Sequence, residues 1–127
     1  MYIKDNIMVC VTQQKTCERL ISNGSRLKES FGSELYVIHV VKDGDNFLYD
    51  DKEPDALQYL FNISKEAGAE LTVLRSDDVV ETLKTFAKEK SIGHIVLGEP
   101  PKTRKACVID DLIVSLPQSK FHVIPAN

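Results

Sequence analysis

Three short stretches of this chain carry residue types that do chemistry. Thr12, Gln13 and Gln14 offer a hydroxyl and two amides directly after an apolar run. That set suits hydrogen bonding to a base, a ribose or another small polar effector, and Thr12 or Thr16 equally suits helix capping. Gly98 and Glu99 follow another apolar run and lead into Pro100 and Pro101. Lys102, Thr103, Arg104 and Lys105 then set three cations just before a helical stripe. Cations beside the unpaired N–H groups of a first helical turn favour an anion such as phosphate, and the competing reading is a solvated charged loop.

Catalytic constellations fail one by one. His39, His94 and His122 all lie within apolar runs, which makes them core or edge histidines rather than bases. The chain contains no Gly-x-Ser-x-Gly elbow, no Gly-Lys-Ser/Thr phosphate loop and no His-Glu-x-x-His pair. Cys10, Cys17 and Cys107 are odd in number and widely spaced, so neither a disulfide framework nor a zinc site is expected, and buried thiols are. The expectation is a protein that binds or senses, not an enzyme.

The elements that must position these residues follow from the apolar period, which alternates between strand-like runs and helix-like stripes. Ile7 to Val11 reads as a first strand. Cys17, Leu20, Ile21, Gly24, Leu27 and Phe31 then recur on one helical face, with Gly32 as its stop. Leu35 to Val41 is a continuous apolar run, as a strand buried on both faces requires. A polar loop over 42–52 follows, whose Phe47 and Tyr49 are its apolar side chains.

A second helix starts at Pro54 and runs through Leu57, Leu60, Phe61, Ser64 and Ala67 to Gly68. Leu71 to Leu74 reads as the third strand. Ser76, Asp77 and Asp78 supply capping oxygens to a third helix that faces Val79, Val80, Leu83, Phe86 and Ala87 to the core. His94 to Leu97 is the fourth strand. Val108, Ile109, Leu112, Ile113 and Leu116 form a last helical stripe, and Phe121 to Ile124 the final strand.

This order predicts a single α/β domain over residues 1–127: a doubly wound, five-stranded parallel sheet with strand order 3-2-1-4-5, a Rossmann-like three-layer sandwich. Its ligand crevice belongs at the carboxyl ends of strands one and four. Sixteen Lys and Arg against nineteen Asp and Glu give a net charge of −3, so no basic field draws the chain to nucleic acid or anionic lipid. No apolar run approaches the roughly 20 residues that span a bilayer, and the first residues lack a signal-peptide core, so a cytoplasmic location is expected.

Ile7 to Thr12, Cys17 to Ile21, Ser33 to Val40, Asp77-Asp78-Val79 and Ile95 to Pro100 together resemble the universal stress protein superfamily. Within it they are most similar to the Usp domain of potassium-sensing Kdp histidine kinases. The resemblance covers nearly the full length. It implies a dimer paired through the last strand, Lys120 to Ile124, and a protein partner in signalling. In some members it also implies an adenine nucleotide, ATP or AMP, over strands one and four, with cyclic di-AMP as a related effector.

The ATP-binding members carry an Asp after strand one and a Gly-x-x-Gly followed at a fixed distance by Gly-Ser/Thr. Here Thr12 stands in place of the Asp, Gly98 keeps the first glycine, Pro101 replaces the second, and Ala106-Cys107 occupies the place of the Gly-Ser pair on a shortened segment. Glycines let backbone N–H groups approach phosphates, and Pro101 supplies neither an N–H nor that freedom. Glu99 beside Gly98 repels phosphate further. The family likeness also puts Val40 and Val41 at an adenine pocket, although β-branched residues there also serve as core.

The tentative ligand set is therefore Thr12, Gln13, Gln14, Val40, Gly98, Glu99, Lys102, Arg104 and Cys107. A phosphoacceptor receiver shares the strand order but needs acidic residues after strand one and a Lys after strand five. This chain offers Thr12, Gln13 and Gln14, then Pro125-Ala126-Asn127, so that rival is rejected. Two readings stand, a sensing domain with a degenerate nucleotide pocket and a dimeric interaction protein that binds no nucleotide, with nucleotide hydrolysis as a third and lesser alternative.

Overall fold

A computed structural model describes residues 5–11, 14–41, 53–98 and 107–124. Five strands alternate with four helices: β1 Asn6–Cys10, α1 Gln14–Phe31, β2 Leu35–Val41, α2 Glu53–Glu66, β3 Glu70–Arg75, α3 Val79–Glu89, β4 Ile92–Gly98, α4 Cys107–Ser115 and β5 Lys120–Ile124. All pairings are parallel and the sheet order is β3-β2-β1-β4-β5. The expected strand order is thus observed, with strand ends differing by at most two residues and β2 matching at both ends. The loop over 42–52, with Phe47 and Tyr49, lies outside the described residues.

Side chains alternate across the strands, so each face of the sheet has its own core. Ile7, Val9, Val11, Leu35, Val37 and Val96 pack with Leu20 and Ile21 of α1 and Leu60 of α2. Met8, Ile38, Val40, Ile95 and Leu97 pack with Leu83, Phe86 and Ala87 of α3 and Leu112 of α4. Central β1 is buried on both faces, which is why its run is apolar without alternation.

Three apolar stripe residues depart from the expected inward orientation. Phe31 is 53% exposed at the last turn of α1, Phe61 50% exposed on α2 and Ile113 44% exposed on α4. An apolar stripe wider than the sheet contact leaves its flank in water. On α4, Leu112 takes the buried position and Ile113, one residue and about 100° further round the helix, turns outward.

Local chemistry fixes the ends. Gly32 and Gly68 have φ of 64° and 72°, the left-handed geometry that stops α1 and α2. Asp78 caps α3 by accepting from the Glu81 N–H at 3.0 Å. Asn6 staples the sheet's amino end: its amide donates to the Lys90 carbonyl at 2.7 Å and accepts from the Glu34 N–H at 3.1 Å.

Candidate functional site

The chain leaves β1 toward the sheet face covered by α1 and leaves β4 toward the face covered by α4. β1 and β4 are neighbours, with Cys10 opposite Leu97. Neighbouring strands whose crossovers diverge leave a crevice beyond their carboxyl ends, and the amino ends of both helices face it. This is the predicted switch point.

Four of the nine expected site residues fall among the described ones. Gln14 is the first residue of α1 and Cys107 the first of α4. Gly98 ends β4, half-buried beside Cys10 and Leu97. Val40 is buried in the core that contains Leu97, with Cys10 packed against it, and so belongs to the floor rather than the mouth. Thr12, Gln13, Glu99, Lys102 and Arg104 lie outside the described residues.

Gly98 is informative because packing against the described residues does not require it. Among the described residues a Cβ there meets only the Leu20 side chain, at 3.7 and 3.9 Å, which is ordinary contact, and its φ is not left-handed. Gly24 is the opposite case: a Cβ on it would stand 2.5 Å from Val9 Cγ2. Gly24 is a fold residue, whereas among the described residues nothing in the packing calls for a glycine at Gly98.

Two residues shape the crevice that sequence reasoning assigned only to the core. His39, fully buried, donates from Nδ1 to the Val11 carbonyl at 2.8 Å, while the Val11 N–H donates to the Ile38 carbonyl at 3.0 Å. Both hydrogen-bonding groups of the residue that follows β1 are therefore held by β2. Burial lowers the His39 pKa, against the raising effect of the Val11 bond, and Arg75 lowers it further. The imidazole is neutral near pH 7, as a donor to a carbonyl inside a core requires. The available signal was a polar residue inside a doubly buried strand, which must find a partner.

Cys10 is the second. Burial pushes its thiol up to about 12, so it is a neutral, unreactive wall group and not a nucleophile. Among the described residues, no three His, Cys, Asp or Glu gather to hold a metal. A surface hollow of about 260 Å³, lined by Leu74, Glu81, Thr82, Thr85, Phe86 and Glu89, belongs to β3 and α3 and lies apart from the crevice. Among the described residues no helix is long and apolar enough to cross a membrane.

No family model matches the chain. It is 29% identical over 108 residues to the sensor protein KdpD of Mycobacterium tuberculosis, covering 85% of this chain and 12% of that protein. It is 26% identical over 103 residues to the sensor protein KdpD of Escherichia coli, covering 81% and 11%. The chain thus spans about a tenth of the length of these curated relatives. Among solved structures, a universal stress protein from Archaeoglobus fulgidus superposes with a TM-score of 0.66 at 23% identity, over 97% of this chain and 93% of that one. A universal stress protein of that organism in complex with dAMP superposes with a TM-score of 0.63 at 22% identity, over 98% of both chains. The chain has the universal stress protein fold and is similar in sequence to a stretch of KdpD.

Proposed function

We propose that this chain is a regulatory sensing domain whose crevice at the ends of β1 and β4 takes an adenine nucleotide, AMP or ATP, or a cyclic dinucleotide such as cyclic di-AMP. Gly98 carries the reading, because it is a glycine at the switch point that neither its backbone geometry nor its packing against the described residues demands. The dAMP complex of the Archaeoglobus fulgidus protein, which shares the fold, supports an adenine-containing ligand. Similarity to the sensor protein KdpD supports a role in signalling, and the proposed role is that of one domain acting in the cytoplasm in response to stress or potassium. The domain binds without turning over its ligand, and it pairs as a homodimer through Lys120 to Ile124.

Pro101 and Glu99 set the expected preference. Both disfavour a triphosphate, so AMP and cyclic di-AMP outrank ATP, with Lys102 and Arg104 as the phosphate contacts. A panel of ATP, ADP, AMP, cyclic di-AMP and cyclic di-GMP in calorimetry and thermal shift tests this. A ligand that binds only the folded state at a hundred times its Kd adds about 2.7 kcal/mol of stability. The expected result is specific stabilisation that Lys102→Ala with Arg104→Ala abolishes.

If no nucleotide binds at millimolar concentration, the second reading takes over: a dimer that carries its function on its surface. Val123, 44% exposed on β5, reports on that dimer. Val123→Asp is expected to give monomers in sedimentation, and a variant that remains dimeric overturns the β5 interface.

A further inference from the structure

His94 and His122 meet across the outermost pair of strands. Nδ1 of His94 lies 3.2 Å from Nε2 of His122, and the rings are 5.4 Å apart at 36°. The register sets His94 opposite Lys120 and Val96 opposite His122, so the contact runs diagonally between β4 and β5. His94 is only 5% exposed. Phe31, which fails to reach the main core, stacks on His94 at 4.6 Å and 15°. The end of α1 thereby closes over His94.

A hydrogen bond between two ring nitrogens needs one N–H and one lone pair. It forms between two neutral rings or between one imidazolium and one neutral ring. When both rings are protonated, two N–H groups and two positive charges face each other and the bond becomes a repulsion. Among the described residues β5 is bonded to β4 alone, so the repulsion falls on an edge strand. We propose that the His94–His122 pair is a proton-operated latch that holds β5 on the sheet near neutral pH and loosens it on acidification. A partner docked along β5, including a second copy of this chain, then meets a pH-dependent surface.

The surrounding charges set the direction. Burial lowers the His94 pKa most, His122 and Lys120 on β5 lower it further, and Asp5, from the segment before β1, opposes them. From α1 the group packed on the ring is the uncharged Phe31. An unfolded or detached His takes its proton near pH 6.5, before the latched His94 does. The latch is therefore intact above about pH 6.5 and weakens as pH falls below it.

Native-state hydrogen exchange of the whole chain, corrected for intrinsic rates, tests this when read as the protection of β5 relative to β1. Between pH 7.5 and 5.0 the β5 amides are expected to lose about tenfold more protection than those of β1, as local opening of an edge strand requires. Equal loss in both strands overturns the latch, because it reports global destabilisation only. His122→Gln keeps an amide of similar reach that takes no proton, and is expected to remove the difference; persistence of the difference overturns the proposal. Ring titration of the unmodified protein by NMR needs no variant. Two coupled steps support the latch, and independent titration of His94 and His122 overturns it.

Discussion

The Nδ1–H of His39 donates to the carbonyl of Val11 at 2.8 Å, so a side chain in the middle of the sheet holds the exit of its neighbouring strand. Removing that donor leaves a buried carbonyl short of a partner, at a cost of about 1–3 kcal/mol. His39→Leu is expected to lose stability in that range by urea denaturation at pH 7.5. His39→Asn, whose amide N–H reaches toward the position of Nδ1, is expected to recover part of it. If the Leu variant is as stable as the parent, the bond does not hold the exit of β1.

The same histidine gives a pH dependence. Its folded pKa is lowered, chiefly by burial, so the unfolded chain binds a proton first as pH falls. Its contribution is complete above about pH 6.5 and is lost progressively below that value. His39→Leu is expected to flatten the slope of stability against pH between 7.5 and 5.5. An unchanged slope assigns the dependence elsewhere.

Asp78 is the N-cap of α3 and accepts from the Glu81 N–H, while Ser76 Oγ accepts from the Asp78 N–H at 3.1 Å and from Thr82 Oγ1 at 2.8 Å. Asp78→Ala is expected to lower stability by about 1 kcal/mol. Asp78→Asn keeps an oxygen acceptor and is expected to lose less. Equal losses would show that charge at the helix start, not the hydrogen bond, carries the effect.

What the sequence made legible was local. The run Leu35 to Val41 announces a doubly buried strand, and Asp78 announces the helix it caps, because each signal lies within the element it describes. The pairings of His39 with Val11 and of His94 with His122 each join residues 28 positions apart, so they exist only once strand order and register are known. The outward turn of Phe31 and Ile113 was hidden for a related reason. A stripe says which side of a helix is apolar, not how much of that side the sheet covers. For the candidate site, the crevice followed from element order, whereas the contrast between Gly24 and Gly98 needed the neighbours of each glycine.

Burial pushes the Cys10 thiol up to about 12, which leaves almost no thiolate at pH 8. Iodoacetamide is expected to leave Cys10 unmodified in the native protein and to label it in denaturant, by mass spectrometry of the peptide that contains it. Labelling in the native protein at the rate of a free thiol would show that the crevice wall opens on the time scale of the reaction.

Gly24 and Gly98 separate the fold from the function. At Gly24 an added Cβ would overlap Val9 Cγ2 at 2.5 Å and press on Leu35 Cδ1 at 3.0 Å. Val9 and Leu35 are buried in the sheet and cannot retreat without moving a strand. Overpacking of this kind costs about 1–3 kcal/mol, against a gain of about 1 kcal/mol from replacing a helical glycine. Gly24→Ala is therefore expected to lower Tm on balance. At Gly98 the added methyl, among the described residues, makes only ordinary contact with Leu20, so Gly98→Ala is expected to fold with stability within about 0.5 kcal/mol of the parent. A methyl that the fold tolerates can still bar a ligand that must lie against the backbone. Loss of nucleotide binding in Gly98→Ala at unchanged stability locates the ligand over β4, and full retention of binding moves it away from this strand end.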